Sequence, residues 1–315
     1  MMPNFVENKD IDKGKWDFCI KNSVNGIIYA YSWYLDIVSP GWNALITDDY
    51  TTVMPLPDAY KLGFKYIFPP PFTQQLGVFS VAGITGEKVN LFFDKIPRNY
   101  KYVEMNLNTL NPAPNNHFEK RNLLTHLLDL ISPYDRIYSN YSTQTKRNLR
   151  KAMLNKLEVR KDMSPMPVID LFRKNRGREF KHPATYYHTL NALMNACLKR
   201  NMGQIWTVLT EEKELCAGAF FTGSNKREIF LFSGINTKGY QLHAMTLLMD
   251  RFFRDHAEQE ITFDFEGSLN PDIARFYKGF GSKEIIFSQI RRNNLPFPFK
   301  WVKDIQFRRN RRDFR

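Results

Sequence analysis

Two stretches of this chain resemble each other, and the elements that follow each come in the same order. The first runs Trp42-Asn-Ala-Leu-Ile-Thr47-Asp48-Asp49-Tyr-Thr-Thr-Val-Met54. The second runs Trp206-Thr-Val-Leu-Thr210-Glu211-Glu212-Lys-Glu-Leu-Cys-Ala-Gly218. Each pattern predicts a strand, an acidic turn and a second strand. A third apolar strand follows, Tyr66 to Phe68 in one half and Glu228 to Ile235 in the other. Next comes an amphipathic helix, Glu87 to Ile96 or Gln241 to Ala257, and then a closing strand, Tyr102 to Asn106 or Ile261 to Phe265. A duplicated β-β-β-α-β unit constrains the fold strongly, because each copy must bury its own sheet face. The expected class is α/β, of the mixed-sheet α+β kind, in two tandem units over residues 1–140 and 141–298, with a basic tail over 299–315.

The junction is set by Ser132-Pro133, which breaks the preceding pattern, and by Ser142 or Thr143, either of which can cap a helix running to Asn155. Further helices are expected over Pro165–Phe180 and Thr185–Arg200. Charge follows the same division. Residues 1–140 carry 13 Lys+Arg and 14 Asp+Glu, whereas residues 141–315 carry 32 and 18. The net charge of +13 therefore lies in the second half. It is densest from Lys146 to Lys181 and returns at Arg308, Arg309, Arg311, Arg312 and Arg315. Such asymmetry points to an anionic partner: a phosphorylated co-substrate, a nucleic acid or an acidic membrane surface met transiently by the tail. A solvated basic face with a loose tail is the plainer alternative.

Several chemistries are set aside. No apolar run approaches the ~18 residues of a membrane span. The polar N-terminus lacks a signal-peptide core, so a cytoplasmic protein is expected. Cys19, Cys197 and Cys216 have neither disulfide nor zinc spacing. Gly234 and Gly239 have P-loop spacing, but Tyr240 stands where the lysine belongs. HExxH, GxSxG and GxGxxG do not occur, no metal site is expected, and the six histidines are assigned to core or surface.

What remains is Glu228 to Ile290. The strand Glu228–Ile235 leads into the loop Asn236-Thr-Lys238-Gly239-Tyr240 and an apolar helix, a place where free backbone N–H groups meet phosphate. In Ile261-Thr-Phe-Asp-Phe-Glu-Gly-Ser268, strand alternation puts Phe263 and Phe265 on one face and Asp264 and Glu266 on the other. Glu266 then stands at the strand's C-terminal end, where open α/β sheets bind ligands. Pro271 opens a helix carrying Tyr277, and a last strand runs Glu284 to Arg291.

Here the residues resemble a family. Ala274-Arg-Phe-Tyr277-Lys-Gly-Phe-Gly281 is similar to the A-x-x-Y-x-x-x-G segment of GNAT-type acyltransferases. The tandem units, the helix Thr143-Gln-Thr-Lys146-Arg147-Asn-Leu-Arg150-Lys151-Ala152 and Asp264-Phe265-Glu266-Gly267 resemble the FemABX-like branch. That resemblance implies transfer of an acyl or aminoacyl group from acyl-CoA or aminoacyl-tRNA to an amine, with a cell-wall precursor as one acceptor. It implies no permanently bound cofactor. It makes Tyr277 the general acid and the turn with Ile235, Lys238, Gly239, Tyr240 and Gln241 the donor site. Glu266 is a candidate base, since attack by an amine needs its proton removed. Under the tRNA reading Lys146, Arg147, Arg150 and Lys151 contact phosphates. In the first unit Trp33, Tyr34, Gln74 and Gln75 join aromatic rings to amides, a combination suited to a polar acceptor or to packing. Two alternatives stay open: a non-catalytic binding module with a degenerate donor site, and an RNA-binding protein without chemistry.

Overall fold

Alternating and continuous apolar runs become strands because they can cover one or both faces of a sheet; the computed structural model shows how they pair. It describes residues 2–312 apart from Asn116, Ser268 and Leu269, with side chains as far as Phe307. Ser268, Arg315 and the side chains of Arg308, Arg309, Arg311 and Arg312 thus lie outside the described residues. The chain divides into two units, Met1–Leu124 with Ile286–Arg315, and Thr125–Ile285.

The first unit begins with β1 (Asn4–Val6), α1 (Lys13–Asn22) and α2 (Ser32–Val38). Strands β2 (Asn43–Ile46) and β3 (Thr52–Leu56) follow, and Pro57 separates β3 from β4 (Asp58–Lys61). After β5 (Phe64–Ile67), β6 (Phe79–Ser80) and α3 (Gly86–Asp94) comes β7 (Tyr100–Asn106). One sheet has the order β1-β2-β3-β6. In the other, β4 pairs antiparallel with β5 and β5 parallel with β7.

Strand β8 (Glu119–Asp129) carries the chain into the second unit. There α4 (Tyr134–Ser139), α5 (Thr143–Leu154), β9 (Glu158–Asp162), α6 (Met166–Lys174), α7 (Gly177–Phe180) and α8 (Ala184–Lys199) precede the main strands. These are β10 (Gly203–Leu209), β11 (Leu215–Ser224) and β12 (Arg227–Ile235). Then come α9 (Thr237–Gln241), α10 (Ala244–Asp255), β13 (Thr262–Asp264) and α11 (Pro271–Lys278). Strand β14 (Lys283–Asn293) and α12 (Phe299–Arg312) complete the chain, and α12 is counted with the first unit.

The duplicated order survives in the pairing only in part, because in the first unit β2 and β3 belong to one sheet and β5 and β7 to the other. Strands β10, β11 and β12 are antiparallel neighbours, and β12 runs parallel to β13 across the α10 crossover. In the first unit β2 and β3 are antiparallel, and β5 is parallel to β7 across α3. Pro57 explains why the first copy is harder to follow, since a proline cannot donate to a ladder and strand β3 ends there.

Two expected helices and the tail come out differently. Pro165–Phe180 is broken at Asn175, whose backbone (φ −111°, ψ −106°) is not helical. Gln241–Ala257 begins only at Ala244, because His243 adopts a left-handed φ of 55° after a separate five-residue turn capped by Asn236. The basic tail is helical over Phe299–Arg312 rather than loose.

The core of the second unit packs α10 onto β10, β11 and β13. Phe252 stacks on Phe221 at 4.0 Å between ring centroids, Phe253 meets Phe263 at 5.0 Å, and Phe265 meets Tyr277 at 4.8 Å. Each buried ring of this kind stabilises the unit by roughly 1.5–3 kcal/mol through area alone. On the opposite sheet face α6 comes so close that a Cβ on Gly234 would lie 2.8 Å from the Phe172 nitrogen.

Candidate functional site

Strands β12 and β13 pair at only three positions, Arg227↔Thr262 to Ile229↔Asp264. Strand β12 then runs on to Ile235, and among the described residues its flank away from β11 has no further strand partner. A cleft of about 440 Å³ opens beside this stretch. Its floor is Phe230, Ser233 and Ile235 of β12, and one wall is Ile273, Phe276 and Tyr277 of α11. Gly239, Tyr240, His243, Met245 and Thr246, from the turn entering α10, form the other wall, and Asn148 and Arg176 complete the lining.

Tyr277 comes to the cleft because Asn270 caps α11, its Oδ1 accepting from Asp272 N–H at 2.9 Å, and because Phe276 and Phe280 fix the helix against the core. Its ring packs on Phe265 and meets His126 edge-on at 5.6 Å. Burial, and next the Glu266 charge, push its hydroxyl above the usual phenol range, while Arg176 opposes them. The hydroxyl is therefore protonated at any physiological pH, as a proton donor must be. Among the described residues Arg176 forms no ion pair; its guanidinium lies over the Phe180 ring at 5.7 Å and lines the cleft. A neutral His126 stands behind Tyr277: burial lowers its pKa, and its nearest carboxylate oxygen is Glu284 Oε1 at 3.7 Å.

Glu266 adopts a left-handed backbone, φ 60°. The fully buried Asp264 holds that turn, accepting from Glu266 N–H at 2.8 Å and from Thr125 Oγ1 at 2.6 Å. Its other oxygen accepts from Arg227 Nε and Nη2 at 3.1 and 2.6 Å. A buried carboxylate needs such compensation. The charge of Glu266 raises both Tyr277 and Tyr186, which places it near the cleft, although it is not among the residues that line it.

The expected donor turn is only partly free. Lys238 Nζ donates to Glu212 Oε2 at 2.9 Å and Glu214 Oε2 at 3.1 Å, and its hydrogen bond holds Glu212 down at about 2. Gly239 N–H donates to Asn236 Oδ1 at 2.8 Å. Gly239 is required there, since a Cβ would sit 2.3 Å from the Cys216 carbonyl oxygen. Ile235, Gly239 and Tyr240 do line the cleft; Lys238 and Gln241 do not. One turn later the N–H groups of Ala244 and Met245, at the start of the 12-residue α10, have no acceptor among the described residues. A helix start of this kind attracts an anion.

Of the four cations predicted on α5, three are held locally, Arg147 by donating from Nη2 to Gln144 Oε1. Lys146 donates to the Ser139 carbonyl at 2.8 Å, and Arg150 Nε reaches the Lys146 carbonyl at 3.5 Å. Arg147 and Lys151 do not line the cleft, but after burial their charges help to lower the pKa of His243, which does. In the first unit, Tyr34 is buried with its hydroxyl donating to the Phe72 carbonyl, and Trp33 packs on Tyr34 at 5.7 Å. The Gln75 side chain is buried too, donating to Gln74 Oε1 at 2.7 Å and accepting from Thr109 N–H.

Sequence reasoning missed Arg176, His243 and His126 as neighbours of Tyr277. Arg176 is one basic residue among many, and the histidines sit in apolar surroundings without motif spacing. Only the fold brings them together.

Residues 140–278 match the family model of the acetyltransferase (GNAT) domain. None of the curated proteins matches the chain. Among solved structures, that of FemX is similar at a TM-score of 0.68 and 12% identity, over 93% of this chain and 98% of that one. The C-terminal domain of a putative lysylphosphatidylglycerol synthetase from Agrobacterium fabrum is similar at 0.56 and 8%, over 91% and 93%. A conserved protein of unknown function from Bacteroides thetaiotaomicron gives 0.56 and 11%, over 92% and 99%. At such identities these structures speak for the fold, while the domain match speaks for acyl transfer. Residues 140–278 are therefore a GNAT-type acetyltransferase domain, and the chain as a whole shares the fold of FemX, with two tandem GNAT-like units.

Proposed function

We propose that the protein is an N-acyltransferase that moves an acyl or aminoacyl group from acyl-CoA or aminoacyl-tRNA to an amine. The observation that carries this is the protonated Tyr277 hydroxyl in a cleft bordered by Arg176 and by two unpaired N–H groups of α10. Phosphates of the donor lie at Ala244 and Met245, with Ile235, Gly239 and Tyr240 along the donor's length. Arg147 and Lys151 extend the positive field, and Lys146 and Arg150 join them when the donor is as long as tRNA. The acceptor amine loses a proton to Glu266, directly or through water, and its nitrogen attacks the acyl carbon. As the tetrahedral intermediate collapses, the bond from carbon to the donor's sulfur or oxygen breaks, and Tyr277 protonates that leaving atom. No cofactor is permanently held. In the first unit Trp33 and Gln74, supported by Tyr34 and Gln75, recognise a polar acceptor such as a cell-wall precursor. The reaction belongs in the cytoplasm, where both donors are made.

The test is a melting-temperature panel with coenzyme A, acetyl-CoA and tRNA, followed by transfer assays with any donor that binds. A ligand at 100 times its Kd should stabilise the native state by about 2.7 kcal/mol. With that donor, Tyr277→Phe should lower kcat by roughly 10²-fold or more while leaving donor Kd unchanged. Equal kcat in the variant would remove Tyr277 as the acid.

One observation favours a second reading, a non-catalytic binding module: Lys238 and the Gly239 N–H, which belong to the donor turn, are occupied by the protein's own groups. No shift with any donor would support that reading.

A further inference from the structure

An apolar projection with cations beside it stands on the first unit. The hairpin of β4 and β5 turns at Leu62 and Gly63, both at positive φ (52° and 83°). Such a two-residue turn is the usual place for Asn, Asp or Gly, and a leucine there is strained. Leu62 is nevertheless 68% exposed, and its neighbour Tyr60 is 70% exposed. Strain and exposure at one apolar side chain give the folded monomer nothing in return. On α12, Trp301 is 60% exposed, and Phe297 just before the helix is 83% exposed. Between hairpin and helix lies a cavity of about 540 Å³, lined by Leu62, Phe64, Phe68, Phe299, Val302 and Lys303.

The helix is held firmly in this position. Arg291 donates to Asp304 Oδ1 at 2.6 Å and to the Lys303 carbonyl at 3.1 Å, and Asn293 donates to the Lys300 carbonyl at 3.1 Å. Phe307 lies beneath the Arg291 guanidinium at 4.2 Å. Pro296–Arg312 contains six Lys and Arg and a single acid, Asp304, which Arg291 already neutralises. Exposed Lys61 and Lys65 bring further charge on the hairpin.

We infer that this face docks on an anionic lipid bilayer, with Leu62, Phe297 and Trp301 entering the headgroup boundary and Lys61, Lys65, Lys300 and Lys303 meeting lipid phosphates. Aromatic and aliphatic side chains beside cations, on a helix lying along the surface, are what such an interface takes up. A second copy of the same face would bring like charges together, so self-association is disfavoured. The inference stands apart from the acyl-transfer reading, since none of its residues lines the cleft of the second unit.

The experiment is flotation of the full chain with vesicles of phosphatidylglycerol and phosphatidylcholine, against vesicles of phosphatidylcholine alone. Flotation with the anionic vesicles only is expected, together with a blue shift of tryptophan fluorescence. Roughly 1 M salt, where the Debye length falls to about 3 Å, should weaken it strongly. Leu62→Asn and Trp301→Ser should each reduce the bound fraction about tenfold, since a buried apolar side chain is worth more than a factor of ten. Leu62→Asn suits the turn, so its melting temperature should not fall, which separates lost docking from lost folding. The inference is overturned by failure to float with anionic vesicles, by equal flotation with both kinds, or by flotation that neither substitution weakens. A dimer that Trp301→Ser converts to a monomer would also overturn it.

Discussion

Glu228 begins β12 beside Phe263 of β13, and a Cβ on Gly223 would lie 2.7 Å from its carboxyl carbon. Burial pushes its pKa up to about 7. A carboxyl whose pKa is raised on folding binds its proton more tightly in the native state. Native stability is therefore full at acid pH and falls as pH rises from the ordinary glutamate range through about 7. Each tenfold gain in proton affinity is worth about 1.4 kcal/mol, and partial contact with water reduces the total, so a loss of about 2 kcal/mol by pH 8 is expected. Glu228→Gln should accordingly match the parent in urea unfolding near pH 4 and exceed it at pH 8. A difference independent of pH would show that the carboxyl is not the cause. At this scale the place of Tyr277 at the cleft was legible because a motif surrounds it, whereas strand alternation did not reach Glu266, since β13 ends at Asp264 and Glu266 turns left-handed. Arg176 and His126 were not legible, since their relation to Tyr277 arises only when α6, β8 and α11 are brought together.

At the scale of elements, apolar periodicity located the strands and crossover helix of each repeated unit, because burial of one face dictates them, but not β1, β8, α1 or α2. It could not reveal that Lys238 would be taken by two glutamates of the β10–β11 turn, nor that the α10 helix would start late at His243. Those outcomes depend on contacts across the sheet. Close approach of α6 to the sheet depends on Gly234 in the same way. A methyl group there would meet the Phe172 nitrogen and the Val168 carbonyl oxygen, both at 2.8 Å and both backbone atoms that cannot rotate aside. Gly234→Ala should therefore cost about 1–3 kcal/mol, the range for an overpacked core, seen as a lower urea midpoint with unchanged slope. An unchanged midpoint would mean that α6 is free to lift.

Across the whole molecule, the separation of charge between the two halves was plain in the sequence, but not which cations remain free. Local contacts hold Lys146, Arg147 and Arg150; Arg176 lines the cleft, and the charges of Lys151 and Arg147 reach its His243. If tRNA is the donor, the salt dependence of binding should drop by about two log units per log unit in the Arg147→Gln/Lys151→Gln double variant. Lys146→Gln/Arg150→Gln should change the slope less. Equal changes in the two double variants would mean that the local contacts yield on binding.

The parting of β12 from β13 after Ile229 has a consequence for what the protein can accept. From Phe230 to Ile235, one edge of β12 presents main-chain donors and acceptors to the cleft instead of to a neighbouring strand. An elongated guest with its own peptide-like groups can finish the ladder there, gaining hydrogen bonds that a compact guest cannot make. Coenzyme A has such an arm, with two amides in line behind its thiol. The missing rungs thus act as a ruler, favouring donors that lie straight along the sheet with the reactive end toward Tyr277.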